Sequence, residues 1–302
     1  MSEAVRDAAA AFARYEEIRP RLPAAAFDAA PEVAPDLGAV AERWGGFVLD
    51  AFGVLNLGEA AIPGAVARIA QLRRDGRRVV VLTNAASYPH AAAVAKFRRM
   101  GFDFAPEEIV SSRDVAAMHL AAIAPGAVWG AFAAEGDRFA DLPAEVVSAI
   151  DAPEAFARAD GFLFLSTARW NGALQSRLAE ALAHRPRPLI VANPDLVAPR
   201  EGGLSLEPGF FAHDLIDRGL APEVHWFGKP FAAAFAVAAG RADLPPGRLA
   251  MVGDTLHTDV LGGRAAGMGS VLVARHGLFA GRDPLPFIAA SGIVPDVVVE
   301  TT

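Results

Sequence analysis

The apolar run GFVL, residues 46 to 49, ends on Asp50 and is followed at once by Gly53, Asn56 and Gly58. An acid at a strand end, on the lip of a turn, has the placement of a nucleophile or a metal ligand. Further along, RVVVL runs into Thr83 and Asn84, HWFG into Lys229, and LAMVG into Asp254, with Thr258 and Asp259 one helical turn on. Ligands of open parallel α/β sheets bind at the carboxyl ends of the strands, which would bring these groups to one face. Two or three carboxylates can hold a hard divalent ion, a threonine and a lysine can bind phosphoryl oxygens, and helix N-termini add favourable dipoles. Each residue alone has an ordinary explanation as a cap, a turn former or a solvated charge. Four successive strand ends, each offering a group that phosphoryl transfer needs, together point to a site.

Such a site needs strands held in register. From Gly46 onward short apolar runs alternate with helical patterns: 46–50, a helix from Pro63 to Arg74 with Ala65, Ile69 and Leu72 on one face, 77–84, and a helix from about Pro89 to Met100. The same alternation returns at 224–228, 248–254, 270–274 and 296–300. Runs such as VVVL are apolar on both faces, which predicts an α/β fold with a Rossmann-like parallel sheet core covered by helices. Between the two blocks stand further strand signals at 127–133, 146–150, 161–166 and 188–193. One sheet taking all of them would be unusually wide, so they predict an inserted α/β cap domain. The expected division is an N-terminal helical extension and linker over 1–45, a core of 46–125 and 208–302, and a cap of 126–207. Residues 4 to 19 read as an amphipathic helix, and Pro20, Pro23, Pro31 and Pro35 mark a linker that helices do not cross. No chemistry is legible in this extension.

Composition narrows the partners. A 302-residue chain that is 53% hydrophobic has ample material for a buried core. A net charge of −7, scattered along the chain, offers no general attraction for nucleic acid or an anionic membrane, so an anionic substrate needs a local positive site. With no cysteine there is neither a disulfide framework nor a thiolate metal site. No segment approaches the roughly 18 to 20 uninterrupted apolar residues of a membrane span, and a cytoplasmic location is the expectation.

LDAFGVL, VVVLTNA, GKP and MVGDTLHTD, in that order, resemble the four motifs of the haloacid dehalogenase superfamily. The long insert, with IPGAVARIAQLRRDG, NPDL and LEPGFFAHDL, resembles its capped class IIA phosphatases, which act on sugar phosphates, nucleotides and pyridoxal phosphate. The resemblance implies a Mg2+-dependent hydrolase of a small phosphorylated metabolite. In it Asp50 takes the phosphoryl group as an aspartyl phosphate, and Thr83, Asn84 and Lys229 bind the phosphoryl oxygens. Mg2+ is held by Asp50, the backbone carbonyl of Phe52, Asp254 and Asp259. The cap would choose the substrate, with Arg169, Asn193 and Asp195 near its strand ends as candidate contacts. Caps of this family also pair subunits, so a homodimer is a possible assembly.

The departure is Phe52. The family's phosphatases carry there a second aspartate that protonates the leaving oxygen and then activates the hydrolytic water, a contribution of about 10²- to 10⁴-fold. Phenylalanine supplies the carbonyl but no proton. The sequence therefore predicts a phosphatase that is slow or restricted to good leaving groups. The alternatives are a non-hydrolytic phosphometabolite-binding protein or a metal-independent dehalogenase-like hydrolase, the latter disfavoured by the retained acids Asp254 and Asp259. His257, Asn56, His90, His213 and His225 are the polar residues from which a replacement acid would have to come, although a lone histidine is more often structural.

Overall fold

The computed structural model describes all residues except 1–6, 29, 201–202 and 222. The chain opens with a helix, α1 (Ala8–Glu17), whose N-terminus is capped by the Asp7 carboxylate accepting from the Ala10 N–H at 2.9 Å. Residues 4 to 6 of the expected helix lie outside the described residues. Next come β1 (Glu32–Asp36), β2 (Gly46–Leu49), the short ladder β3 (Asn56–Leu57) and β4 (Ala60–Ala61), β5 (Arg78–Thr83) and β6 (Ile109–Ser111). The middle of the chain contributes β7 (Val128–Phe132), β8 (Glu145–Ser148), β9 (Gly161–Phe164), β10 (Leu189–Val191), the antiparallel pair β11 (Val197–Arg200) and β12 (Gly203–Leu206), and β13 (Val224–Trp226). It closes with β14 (Leu249–Gly253), β15 (Gly269–Val273) and β16 (Val297–Thr301).

Seven strands form a parallel sheet in the order β1-β16-β15-β14-β2-β5-β6. Alternate residues of β2, β5 and β14 enter two different clusters. Phe47, Leu49, Val79, Val81, Ala250 and Val252 face one way, and Val48, Val80, Leu82 and Met251 the other. Both faces are buried, which is what the unbroken apolar runs require. Successive strands run outward from β2 in one direction through β5 and β6, and in the other from β14 to β16. The crevice at the carboxyl ends of β2 and β14 is therefore the switch point where such sheets bind ligands.

The expected second unit is present as a five-stranded parallel sheet, β13-β10-β9-β7-β8. Its outermost strand corrects the expected division. β13 pairs with β10 in the register Ile190 with His225, so residues 224–226 belong to the inserted sheet and not to the core. The helix Pro208–Asp217 packs with it, since Ala212 and Leu215 join Phe164 and Val191 in one cluster. The linker also holds a correction: residues 32 to 36 form an edge strand of the core, with Ala34 opposite Val299. Pro35 has no N–H to give a ladder, and an edge is where a sheet tolerates it.

α1 is fastened to both units. Ala11, Tyr15 and Ile18 are buried against Leu196 and Val197. Arg14 pairs with Asp217, and Arg21 reaches Asp217 at 2.5 Å and the His213 Nδ1 at 3.3 Å. His213 is buried and stacked on Trp226, and burial beside Arg21 and Arg14 holds its pKa down to about 3. A folded-state value below that of the unfolded chain means that stability is present at neutral pH and is lost as pH falls from about 6.5 towards 3. Between pH 6.5 and 5 that one histidine accounts for a loss of about 1.5 kcal/mol. Urea unfolding at the two pH values should show a shallower acid loss in His213→Asn than in the parent chain. Equal slopes would show that the ring is not kept neutral by its burial.

Candidate functional site

Asp50 follows the last residue of β2, Thr83 ends β5, and Asp254 follows the last residue of β14. Lys229 stands three residues beyond β13, where the chain crosses from the inserted sheet back to the core. Its Nζ lies 2.6 Å from Asp50 Oδ1 and 2.6 Å from Asp259 Oδ1, and the side chain is 2% exposed. Burial works against the Lys229 charge, but Asp259, Asp50 and Asp195 outweigh it and raise its pKa above the ordinary value. The ammonium is thus permanent, and two carboxylates are tied to it.

Asn84 keeps this lysine in place. Its side-chain oxygen accepts from the Lys229 N–H at 2.8 Å, and its amide donates to the Lys229 carbonyl at 3.0 Å and to Asp195 Oδ1 at 2.8 Å. Oxygen and both N–H groups are spent on protein partners, so the Asn84 side chain clamps the lysine backbone and is not available to a phosphoryl oxygen, contrary to expectation. Gly228 makes the clamp possible: a Cβ there would lie 2.6 Å from Asn84 Oδ1 and 2.5 Å from Pro194.

Asp50, Asp254 and Asp259 each present a carboxylate oxygen within 4.8 Å of the others. Two of these acids, Asp50 and Asp259, are paired with Lys229. Burial, together with Asp50 and Asp259, raises the Asp254 pKa well above its usual value, and burial raises Asp259 to about 6 despite Lys229. Hard oxygen donors with an excess of negative charge fit a divalent cation. Among the described residues no hydrogen bond takes the Phe52 carbonyl: the bridge between Phe52 and Asn56 uses the Gly53 N–H to the Asn56 carbonyl and the Asn56 N–H to the Ala51 carbonyl.

Asp50 itself is asymmetric. Oδ1 takes Lys229 and, at 2.7 Å, the Ala51 N–H. Among the described residues no partner holds Oδ2. Thr83 is buried and lines the same cavity as Asp50, Phe52 and Asp254, its hydroxyl accepting from the Ala85 N–H at 3.2 Å. Asn193 and Asp195 line it too. Asn193 accepts from the Asp195 N–H at 3.0 Å and donates to Glu207 at 3.2 Å. Burial raises Asp195 to about 8 against the opposing pull of Lys229 and Asn84.

Arg169 does not join them. It is held by Asp151 through two bonds, at 2.9 and 2.5 Å, and is not among the residues that line the cavity. The histidines are elsewhere as well: His257 on Glu16, His90 on Asp114, His225 on Glu223 and His213 on Arg21. None of the four lines the cavity, whereas Asn56 does, donating to the Gly58 carbonyl at 2.8 Å.

Two contributions were missed in the sequence. The Leu278 N–H donates to Asp254 Oδ2 at 2.9 Å, beyond the end of β15, and Gly277 beside it has φ +70°, with a Cβ position 1.7 Å from that oxygen. A fifth strand end running into HG was the available signal. Tyr15 of α1 also lines the cavity, and nothing in the sequence ties it to a site some 35 residues away. Gly277→Ala should push Asp254 aside and weaken Mg2+ binding by about ten-fold or more, as read by Mg2+-dependent thermal shift. An unchanged shift would remove the Leu278 turn from the support of Asp254.

Comparison with known proteins gives the family and the fold. The model of the haloacid dehalogenase-like hydrolases matches residues 47–140, and the HAD-hydrolase-like model matches 226–298. The chain is 30% identical over 279 residues to the glycerol-3-phosphate phosphatase of Gallus gallus, covering 84% of this chain and 88% of that one. In three dimensions it resembles the p-nitrophenyl phosphatase from Archaeoglobus fulgidus, with a TM-score of 0.72 and 25% identity over 85% of this chain and 96% of that one. It also resembles the glycerol phosphate phosphatase from Mycobacterium tuberculosis in complex with magnesium, with a TM-score of 0.64 and 27% identity over 78% and 70%. Fold, strand-end acids and matched segments coincide: the chain belongs to the haloacid dehalogenase-like hydrolase family, beside relatives that are phosphoric monoester hydrolases.

Proposed function

We propose that this chain is a Mg2+-dependent phosphatase of a small phosphorylated metabolite, with Asp50 as the nucleophile. The observation that carries the reading is the Lys229 ammonium held 2.6 Å from both Asp50 and Asp259, beside a third buried acid. Lys229 and the Ala51 N–H fix Oδ1 of Asp50 and leave Oδ2 to attack phosphorus. That attack forms an Oδ2–P bond and breaks the ester P–O bond, whose electron pair leaves on the alcohol oxygen. Water then attacks the aspartyl phosphate, releasing phosphate and restoring the carboxylate. Mg2+ held by Asp50, the Phe52 carbonyl and Asp254, with Asp259 directly or through water, would offset the charge that spreads over the transferring group. Thr83 and Lys229 would receive its oxygens.

Phe52 sets the limit. Its half-buried ring lines the cavity where an acid would protonate the departing oxygen. Leaving groups that depart without a proton, such as nitrophenolate, should turn over; alkoxides should leave slowly. In a phosphate-release assay with Mg2+, Asp50→Asn is expected to abolish turnover, and activity at the parent level would remove Asp50 from the nucleophile role. Phe52→Asp is expected to raise release from an alkyl phosphate by about 10²-fold or more, with a smaller gain on p-nitrophenyl phosphate. No gain on either would sink the missing-acid account. Because the same ring favours a binder, thermal stabilisation by phosphate esters without any release from p-nitrophenyl phosphate would select that second reading.

A further inference from the structure

The family model begins at residue 47, yet a side chain from residue 15 lines the cavity beside Asp50. Tyr15 is 3% exposed. Its ring stacks on His257 at 4.8 Å with 11° between the planes, and His257 Nε2 meets Glu16 Oε1 at 2.5 Å. Phe12 closes the other approach to His257, edge-on at 5.4 Å. Phe12, Tyr15 and Glu16 of α1 thus grip the segment that carries Asp259, while Arg14 and Arg21 grip the helix of the inserted unit through Asp217.

That hydroxyl is half satisfied. It accepts from the Leu196 N–H at 3.1 Å, so one lone pair is used and its own proton is free to be given. Among the described residues no acceptor takes it. A donor buried to this degree normally has a partner, and Tyr15 is among the residues that line the cavity. The wall beside it is mixed, with Asn193, Glu207 and Thr258 as polar members and Val197 and Leu278 as apolar ones. Asp50 and Tyr15 line this one cavity, so a phosphate ester seated on Asp50 shares it with the Tyr15 side chain.

We propose that α1 is part of the substrate site, and that Tyr15 donates its hydroxyl hydrogen bond to an oxygen of the alcohol part of the substrate, selecting hydroxylated phosphate esters. Burial, reinforced by Asp195, Asp259 and Asp254, keeps the phenol protonated and therefore a donor. The inference rests on the phosphate-site reading above and adds to it the class of alcohol that is selected.

The test uses the full chain with Asp50→Asn, which separates binding from turnover, in the presence of Mg2+. Dissociation constants are measured by calorimetry for glycerol 3-phosphate, p-nitrophenyl phosphate and inorganic phosphate, with and without Tyr15→Phe. Phenylalanine keeps the ring and its stack on His257. The expected result is a loss of about three- to ten-fold for glycerol 3-phosphate, the range of one neutral hydrogen bond, with the other two ligands unchanged. Unchanged inorganic phosphate binding also certifies that the variant is folded. An equal change for all three ligands would make Tyr15 merely structural and overturn the proposal, as would no change for any. A parent that binds glycerol 3-phosphate no better than inorganic phosphate overturns it too. Failure to bind even inorganic phosphate would instead overturn the phosphate-site reading, and the Tyr15 proposal with it.

Discussion

One buried ammonium organises this protein. Lys229 sits between Asp50 and Asp259 at 2.6 Å from each, almost wholly out of water. Removing such a charge from solvent costs several kcal/mol, offset only when geometry and further hydrogen bonds are good. The surroundings provide both. Asn84 clasps the backbone on either side of the lysine side chain, and the Thr255 N–H supports Asp259 Oδ2 at 3.1 Å. The arrangement still leaves three carboxylates against one cation, and the upward pull on Asp254 and Asp259 is the consequence. A site with that imbalance, lined by hard oxygens, has the donor set and charge that fit a divalent cation.

The lysine also explains why the inserted unit cannot be separate from the chemistry. It lies just past β13, so its position depends on the second sheet as well as on the first. The two units share a packed cluster in which Val80, Leu82 and Met251 of the core meet Trp129, Leu163 and Ile190 of the insert. Interiors packed in this way transmit displacement rather than absorb it. α1 adds a second tie through Leu196 on one side and His257 on the other. The cavity beside Asp50 is accordingly walled by three parts of the chain, and the N-terminal helix is one of them.

Much of this was legible before any coordinates. An apolar run that ends on a polar residue announces both a buried parallel strand and the place where its carboxyl end opens to ligand, so Asp50, Thr83 and Asp254 were found together. β13 was harder. VHW is three residues long, and membership of a sheet is decided by the neighbour that completes the hydrogen-bond ladder, which here is β10. Asn84 and Arg169 show the same limit for side chains. Both types suit phosphate, but partners distant in sequence, Lys229 and Asp195 for one and Asp151 for the other, took their hydrogen-bonding capacity. Pro35 was read as part of a linker that helices do not cross; no helix crosses it, but residues 32 to 36 form an edge strand.

The sequence by itself determined the kind of chemistry: residue types at strand ends are local choices, and hydrophobic periodicity places them on one face of a parallel sheet. It also determined that position 52 carries a side chain with no ionisable proton in any conformation. Tertiary structure decided which groups are free to act. Whether Asn84 binds substrate or holds a lysine, whether Asp254 is steadied by a turn 24 residues away, and whether Tyr15 reaches the cavity all depend on contacts between segments far apart in the chain. Those contacts follow from the packing of whole elements, which no single stretch of sequence encodes.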